Sequence, residues 1–175
     1  MPLRVVTLVS VCTLLLASCG GGRDDGYEPW REVTRDESGQ VTGEGSIDVL
    51  ALLVGDCYIH SVLESAVDDE NVFASLDVVP CSNPHDKEIF ASYNYPTGSD
   101  TAFPGKGALF EFGKNECLTA FNAFVGIEWE SSDLNYAWFS PTQSSWSVGG
   151  DREILCVLWQ IGGEKLQGSM RGSGR

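Results

Sequence analysis

The cysteines constrain this chain more than any other feature. Cys12 and Cys19 stand in or beside an apolar run near the start, while Cys57, Cys81, Cys117 and Cys156 are spread through the body. No C-x-x-C occurs, so the spacing does not favour a zinc site, and the four body thiols read as two disulfides with three possible pairings. One pairing follows from strand geometry. Cys57–Val62 and Val72–Cys81 look extended, and the acidic break Asp68-Asp69-Glu70-Asn71 lies between them. The antiparallel register that sets Cys57 opposite Cys81 also sets Val62 opposite Leu76 and centres the turn on Asp69. Cys117 and Cys156 are then left to staple a helix to a strand.

Arg4 followed by Val5–Leu16 has the form of a signal segment, too short to span a bilayer as a helix. Leu16-Ala17-Ser18-Cys19-Gly20 resembles the lipobox of bacterial lipoproteins. Small side chains precede the cut, and Cys19 supplies the thiol for a diacylglyceryl thioether. This predicts a signal peptide at 1–18 and a palmitate-bearing anchor at Cys19, with the body on the oxidising, extracytoplasmic face of the cell membrane. Two acyl chains hold a protein on a membrane where one does not.

Residues 19–46 are rich in Gly, Asp and Glu, and Tyr27, Trp30, Val33 and Val41 follow neither the strand nor the helix period. They are expected to form a flexible acidic tether with a reach of roughly 30 Å. The globular domain is assigned to 47–175. Its net charge is negative, and the whole chain carries −14, which argues against nucleic acid as a partner.

Within the domain, Val49–Val54 is an apolar run compatible with a buried strand or a helical turn. Glu88–Tyr95 is β-branched and aromatic. From Gly107 to Val125 the period changes to a helical one, with Leu109, Phe110, Cys117, Leu118, Phe121, Phe124 and Val125 on one face. Gly113 weakens the middle of that helix and Gly126 is placed to end it. Leu134–Phe139 alternates, Ile154–Ile161 is apolar enough for burial on both faces, and Lys165–Met170 is expected as a last short strand. The fold class is α+β: a small, mainly antiparallel sheet with one packed helix and two disulfides.

Several stretches together resemble a known family. They are Val54-Gly55-Asp56-Cys57, Val79-Pro80-Cys81-Ser82 with Pro84-His85-Asp86 and Glu88, and Cys117 with Phe121 and Phe124-Val125-Gly126. Tyr136, Pro141 and Trp146 follow, then Gly150-Asp151-Arg152 before Cys156, and Gly168-Ser169-Met170-Arg171-Gly172. Their order is similar to the septum-formation domain of actinobacterial lipoproteins and membrane proteins, over roughly Val54 to Gly172. The resemblance implies a part in envelope growth or division and carries over no catalytic residue. The long acidic segment between Cys57 and Cys81 departs from the pattern.

Candidate chemistry is sparse. His85 beside Asp86 and Glu88 has the composition of an acid/base group or one corner of a metal site, but a second nitrogen ligand could come only from His60. Neighbouring backbone and a fixed loop account for the same residues. Asp151-Arg152 reads as an ion pair at a strand entrance or as an arginine for a carboxylate ligand. Trp129, Tyr136, Trp138 and Trp146 could stack on cell-wall sugars or simply pack. H-E-x-x-H, G-x-S-x-G and P-loop motifs are absent. The expected function is therefore non-enzymatic, through contact with envelope or division proteins, with no cofactor and no metal. A peptidoglycan-binding module and a hydrolase centred on His85 are the alternatives.

Overall fold

Glu153–Gln160 organises the sheet, since Ile154 to Leu158 are all buried and such a run needs cover on both faces. In the computed structural model, which describes residues 32–59, 75–96 and 101–175, this strand lies second from one edge of a six-stranded antiparallel sheet. The strands are β1 (Gly45–Asp48), β2 (Cys57–Ile59), β3 (Ser75–Val79), β4 (Lys87–Asn94), β5 (Leu134–Phe139) and β6 (Glu153–Gln160), ordered β1-β3-β2-β4-β6-β5. One helix, α1 (Lys106–Val125), covers one face. Among the described residues no helix is long and apolar enough to cross a membrane. The signal segment, Cys19 and the acidic break at 68–71 lie outside the described residues, as do His60 and Val62.

The α+β expectation holds, and both disulfides pair as the strand argument predicts, Cys57–Cys81 and Cys117–Cys156. The register behind the first pair is different. Cys57 faces Val79, Tyr58 faces Val78 and Ile59 faces Asp77, a slip of two residues from the expected pairing. A two-residue slip keeps every side chain on its own face. Cys57 therefore still reaches Cys81, diagonally beyond the strand end, with Cα atoms 5.2 Å apart.

α1 buries Leu109, Gly113, Cys117, Phe121, Phe124 and Val125 against β4, β5 and β6. Phe110, expected on that face, is about half exposed and lies across Trp138, with ring centroids 5.2 Å apart. Gly126 adopts the left-handed conformation at φ 89° and donates its N–H to Asn122 O, ending the helix as its position predicts. Gly113 has a purpose that local propensity does not reveal. A Cβ there would stand 2.3 Å from Trp138 Nε1. Gly113→Ala should therefore destabilise the fold by about 1–2 kcal/mol in urea denaturation, the overpacking cost exceeding the gain in helix propensity. A more stable variant would show that the indole moves away freely.

The segment expected as tether is folded from residue 32 onward. Arg35 and Val41 form a β-bridge around a turn in which Asp36 accepts hydrogen bonds from the Ser38 and Gln40 N–H groups. Val41 is buried, and Val33 and Ile47 join it over the second sheet face with Leu52, Leu155 and Val157. Arg35 donates to both carboxylate oxygens of Asp56, at 2.5 and 2.8 Å. A few apolar side chains suffice here because the sheet supplies the other half of the contact, which periodicity within the segment does not register. The Val49–Val54 run resolves into a 3₁₀ turn at Val49–Ala51, capped by Asp48, followed by loop. The expected strand at Lys165–Met170 reduces to one bridge, His85 to Leu166.

Candidate functional site

Two places in the fold collect chemistry. The first is the loop after Cys81, which a C-terminal strap ties down. His85 exchanges backbone hydrogen bonds with Leu166 (3.0 and 2.8 Å), Asp86 N–H donates to Tyr58 O, and Gly168 N–H donates to Cys81 O. Glu88 follows on β4 directly opposite Cys57. Its carboxylate accepts from Ser169 Oγ at 2.6 Å and from Met170 N–H at 2.8 Å. His85 is 0% exposed and Glu88 1%, so neither meets solvent. His85 Nδ1 lies 2.9 Å from Asn83 O; a carbonyl only accepts, so that nitrogen carries the proton and donates. Among the described residues Nε2 is buried with no hydrogen-bond partner. Asp86 turns outward to a half-exposed Lys165, at 2.7 Å.

His85 and Glu88 therefore lie together in the fold, with Asp86 facing away. Cys57 Sγ, a His85 ring nitrogen and a Glu88 oxygen lie within 4.8 Å of one another. Because Cys57 is bonded to Cys81 it presents no thiolate, and the oxidised protein offers a metal only the other two donors of this group. Burial raises the Glu88 pKa above the ordinary carboxyl value; the bonds from Met170 and Ser169 and the charges of His85 and Arg171 oppose that rise. An acid with a raised folded-state pKa stabilises the fold below its unfolded pKa, and that contribution is lost as pH climbs through the folded value. Lowering the pH from about 7 to about 4 should therefore favour the wild type relative to Glu88→Gln. Urea denaturation of both proteins at each pH checks this, and identical pH dependence would remove Glu88 as the cause.

The second place is a cleft of about 200 Å³ on the other sheet face. Val49, Leu50, Trp138, Phe139 and Leu155 contribute apolar wall, while Thr142, Ser145, Asp151 and Glu153 bring polar groups. Asp151 accepts from Ser145 Oγ and from the Glu153 N–H, and Glu153 accepts from Ser92 Oγ. Among the described residues neither carboxylate has a cationic partner. Leu50 is 55% exposed at the rim. No sequence motif marked this cleft, whose lining comes from turns and strands far apart in the chain.

The remaining candidates are placed differently from expectation. Asp151 and Arg152 do not form the expected ion pair. Arg152 lies 3.6 Å over the Trp146 ring and donates to the backbone oxygens of Trp146 and Asp151, while the Asp151 side chain caps the turn before β6. Trp146 is 3% exposed, donates its indole N–H to Thr101 O and packs edge-on to Tyr95 and Phe103. It is a core residue rather than a sugar platform. Trp129, Tyr136 and Trp138 form a half-buried aromatic row along β5, with Tyr136 touching Phe121 of the helix.

No curated protein and no solved structure matches this chain. A family model described as septum formation matches residues 55–174, from the turn before Cys57 to the end of the C-terminal strap. That span contains both disulfides, the His85–Glu88 loop and α1. The chain belongs to the septum formation family.

Proposed function

We propose that the protein is a lipid-anchored domain on the extracytoplasmic face of the cell membrane, acting without catalysis through protein–protein contact in cell growth, division or septum formation. Family membership supports the division role, and the lipobox-like segment with two disulfides supports the location. The observation that carries the contact reading is the open cleft. Its apolar wall and two carboxylates that have no cationic partner among the described residues stand beside three exposed apolar side chains, Leu50, Leu53 and Val54. The buried His85 and Glu88 present no comparable opening to a substrate.

A photo-crosslinking residue at position 50 in living cells should capture envelope or division proteins, whereas the same residue at the exposed helix position 114 should not. Cys19→Ser should move the protein out of the membrane fraction and abolish the adduct. Capture from position 114 alone would reject the cleft. Retention on purified peptidoglycan that Trp138→Ala abolishes would favour the sugar-binding alternative. Loss of complementation of a deletion strain by a folded His85→Ala protein would favour the hydrolase.

A further inference from the structure

The two disulfides sit in different surroundings. Cys117 and Cys156 are both fully buried in the aromatic core beneath α1. Cys81 is partly exposed, while its partner Cys57 is fully buried beside His85 and Glu88. The bridge thus joins a partly exposed residue to one buried next to a group that can carry a proton. The His85 ring is fixed by its Nδ1–H bond to Asn83 O, and Nε2 is left buried and, among the described residues, unmatched. A disulfide sulfur has no hydrogen to give a neutral Nε2, whereas a Cys57 thiol donates to it and a Cys57 thiolate accepts from it once it is protonated. The oxidised state therefore carries an unmet polar group that reduction would satisfy.

From this geometry we propose that Cys57–Cys81 is an exchange-active disulfide that reacts with a dithiol, and that His85 carries the proton to and from the Cys57 sulfur. An incoming thiolate attacks Cys81 Sγ, the S–S bond breaks, and its electron pair leaves on Cys57 Sγ. That thiolate takes the Nε2 proton of the imidazolium and becomes a thiol bonded to neutral Nε2. The second thiol of the reagent, as thiolate, then attacks the mixed disulfide at the reagent's own sulfur. This forms the reagent's disulfide and releases Cys81 as a thiolate, which takes a proton from solvent. The dithiol is oxidised and the protein disulfide reduced by the same two electrons. The ring is sealed from water in the oxidised fold, so its proton is restored only while the bridge is open and water reaches Nε2. In reverse, Nε2 removes the Cys57 proton and regenerates the nucleophile.

The charged groups around the imidazole suit this role. Glu88 on β4, anchored by Ser169 and Met170, balances a positive ring; Arg171 of the strap and the outward Asp86–Lys165 pair are further charged groups among the described residues. A good leaving thiolate speeds exchange, and a proton donor beside Cys57 makes it one. Opening this bridge frees the loop after Cys81 while Cys117–Cys156 continues to hold α1 to the sheet.

The test exposes the oxidised protein to limiting dithiothreitol, alkylates freed thiols at intervals and maps the peptides. Cys57–Cys81 should open at least about tenfold faster than Cys117–Cys156. After correction for the reagent's own thiolate fraction, its rate should be lower at about pH 8 than at about pH 5. In His85→Gln, with its fold checked by circular dichroism, that pH dependence should disappear. Equal rates for the two bridges would overturn the proposal. A fast Cys57–Cys81 bridge whose pH profile is unchanged in His85→Gln would equally overturn it, leaving exposure of Cys81 as the whole cause. If His85→Gln fails to fold, the wild-type pH profile alone decides, and a flat profile overturns the role of His85.

Discussion

Replacing Cys117 and Cys156 together by alanine should cost roughly 4 kcal/mol of stability, the largest loss expected from any change considered for this fold. The bridge closes a sequence separation of 39 residues and joins α1 to β6, the strand buried on both faces. Its removal restores conformational freedom to the unfolded chain and leaves two small voids in a close-packed core. The midpoint of thermal unfolding should fall by roughly 10–20 °C. Removing Cys57–Cys81, with a separation of 24, should cost somewhat less in the same chain-entropy model. Urea denaturation of the two double variants checks both the size and the order. A loss under about 1 kcal/mol for the Cys117/Cys156 variant would mean that side-chain packing alone docks the helix.

Arg35→Ala should lower stability by about 2–3 kcal/mol, an effect out of proportion to its place in a segment that reads as tether. Asp56 is 1% exposed, and the Arg35 guanidinium grips both of its oxygens. The bond to Asp56 also raises the Arg35 pKa, burial opposing it, so the arginine stays charged. With Arg35 gone, a buried carboxylate keeps, among the described residues, only the Leu53 N–H. Breaking one side of a buried pair costs more than the pair is worth, and the figure is reduced here because the Arg35 side chain is 19% exposed. The double variant Arg35→Ala/Asp56→Asn should recover part of the loss. Limited proteolysis adds a local readout, since residues 32–46 should become cleavable in Arg35→Ala. An unchanged stability and cleavage pattern would return this segment to the role of a free linker.

Much of the scaffold was legible because its signals are local. Leu134–Phe139 shows a period of two and forms β5 with those bounds, and Gly126 stands where an L side chain would be strained and ends α1 there. Cys57–Cys81 was found through a register that is two residues wrong, because parity, not the particular partner, decides which face a strand residue occupies. Gly113 shows the opposite case. Propensity marks it as a weak point, yet Trp138 of β5 fills the space above it. Trp146 could not be assigned from an aromatic-rich stretch either, since burial depends on Tyr95, Phe103 and Arg152 arriving from elsewhere.

The amino-acid order alone determined the antiparallel α+β class, the single packed helix and the cysteine pairs, because apolar periodicity and thiol spacing are written within a few residues of one another. Tertiary structure alone decided that residues 32–46 belong to the fold, that His85 is buried beside Cys57 with its Nε2 unmatched among the described residues, and that a cleft opens beside Leu50. Each of these depends on groups brought together from distant parts of the chain. Glu88 meets Ser169 and Met170 across more than eighty positions, and no local pattern encodes a partner that only folding brings within hydrogen-bond reach.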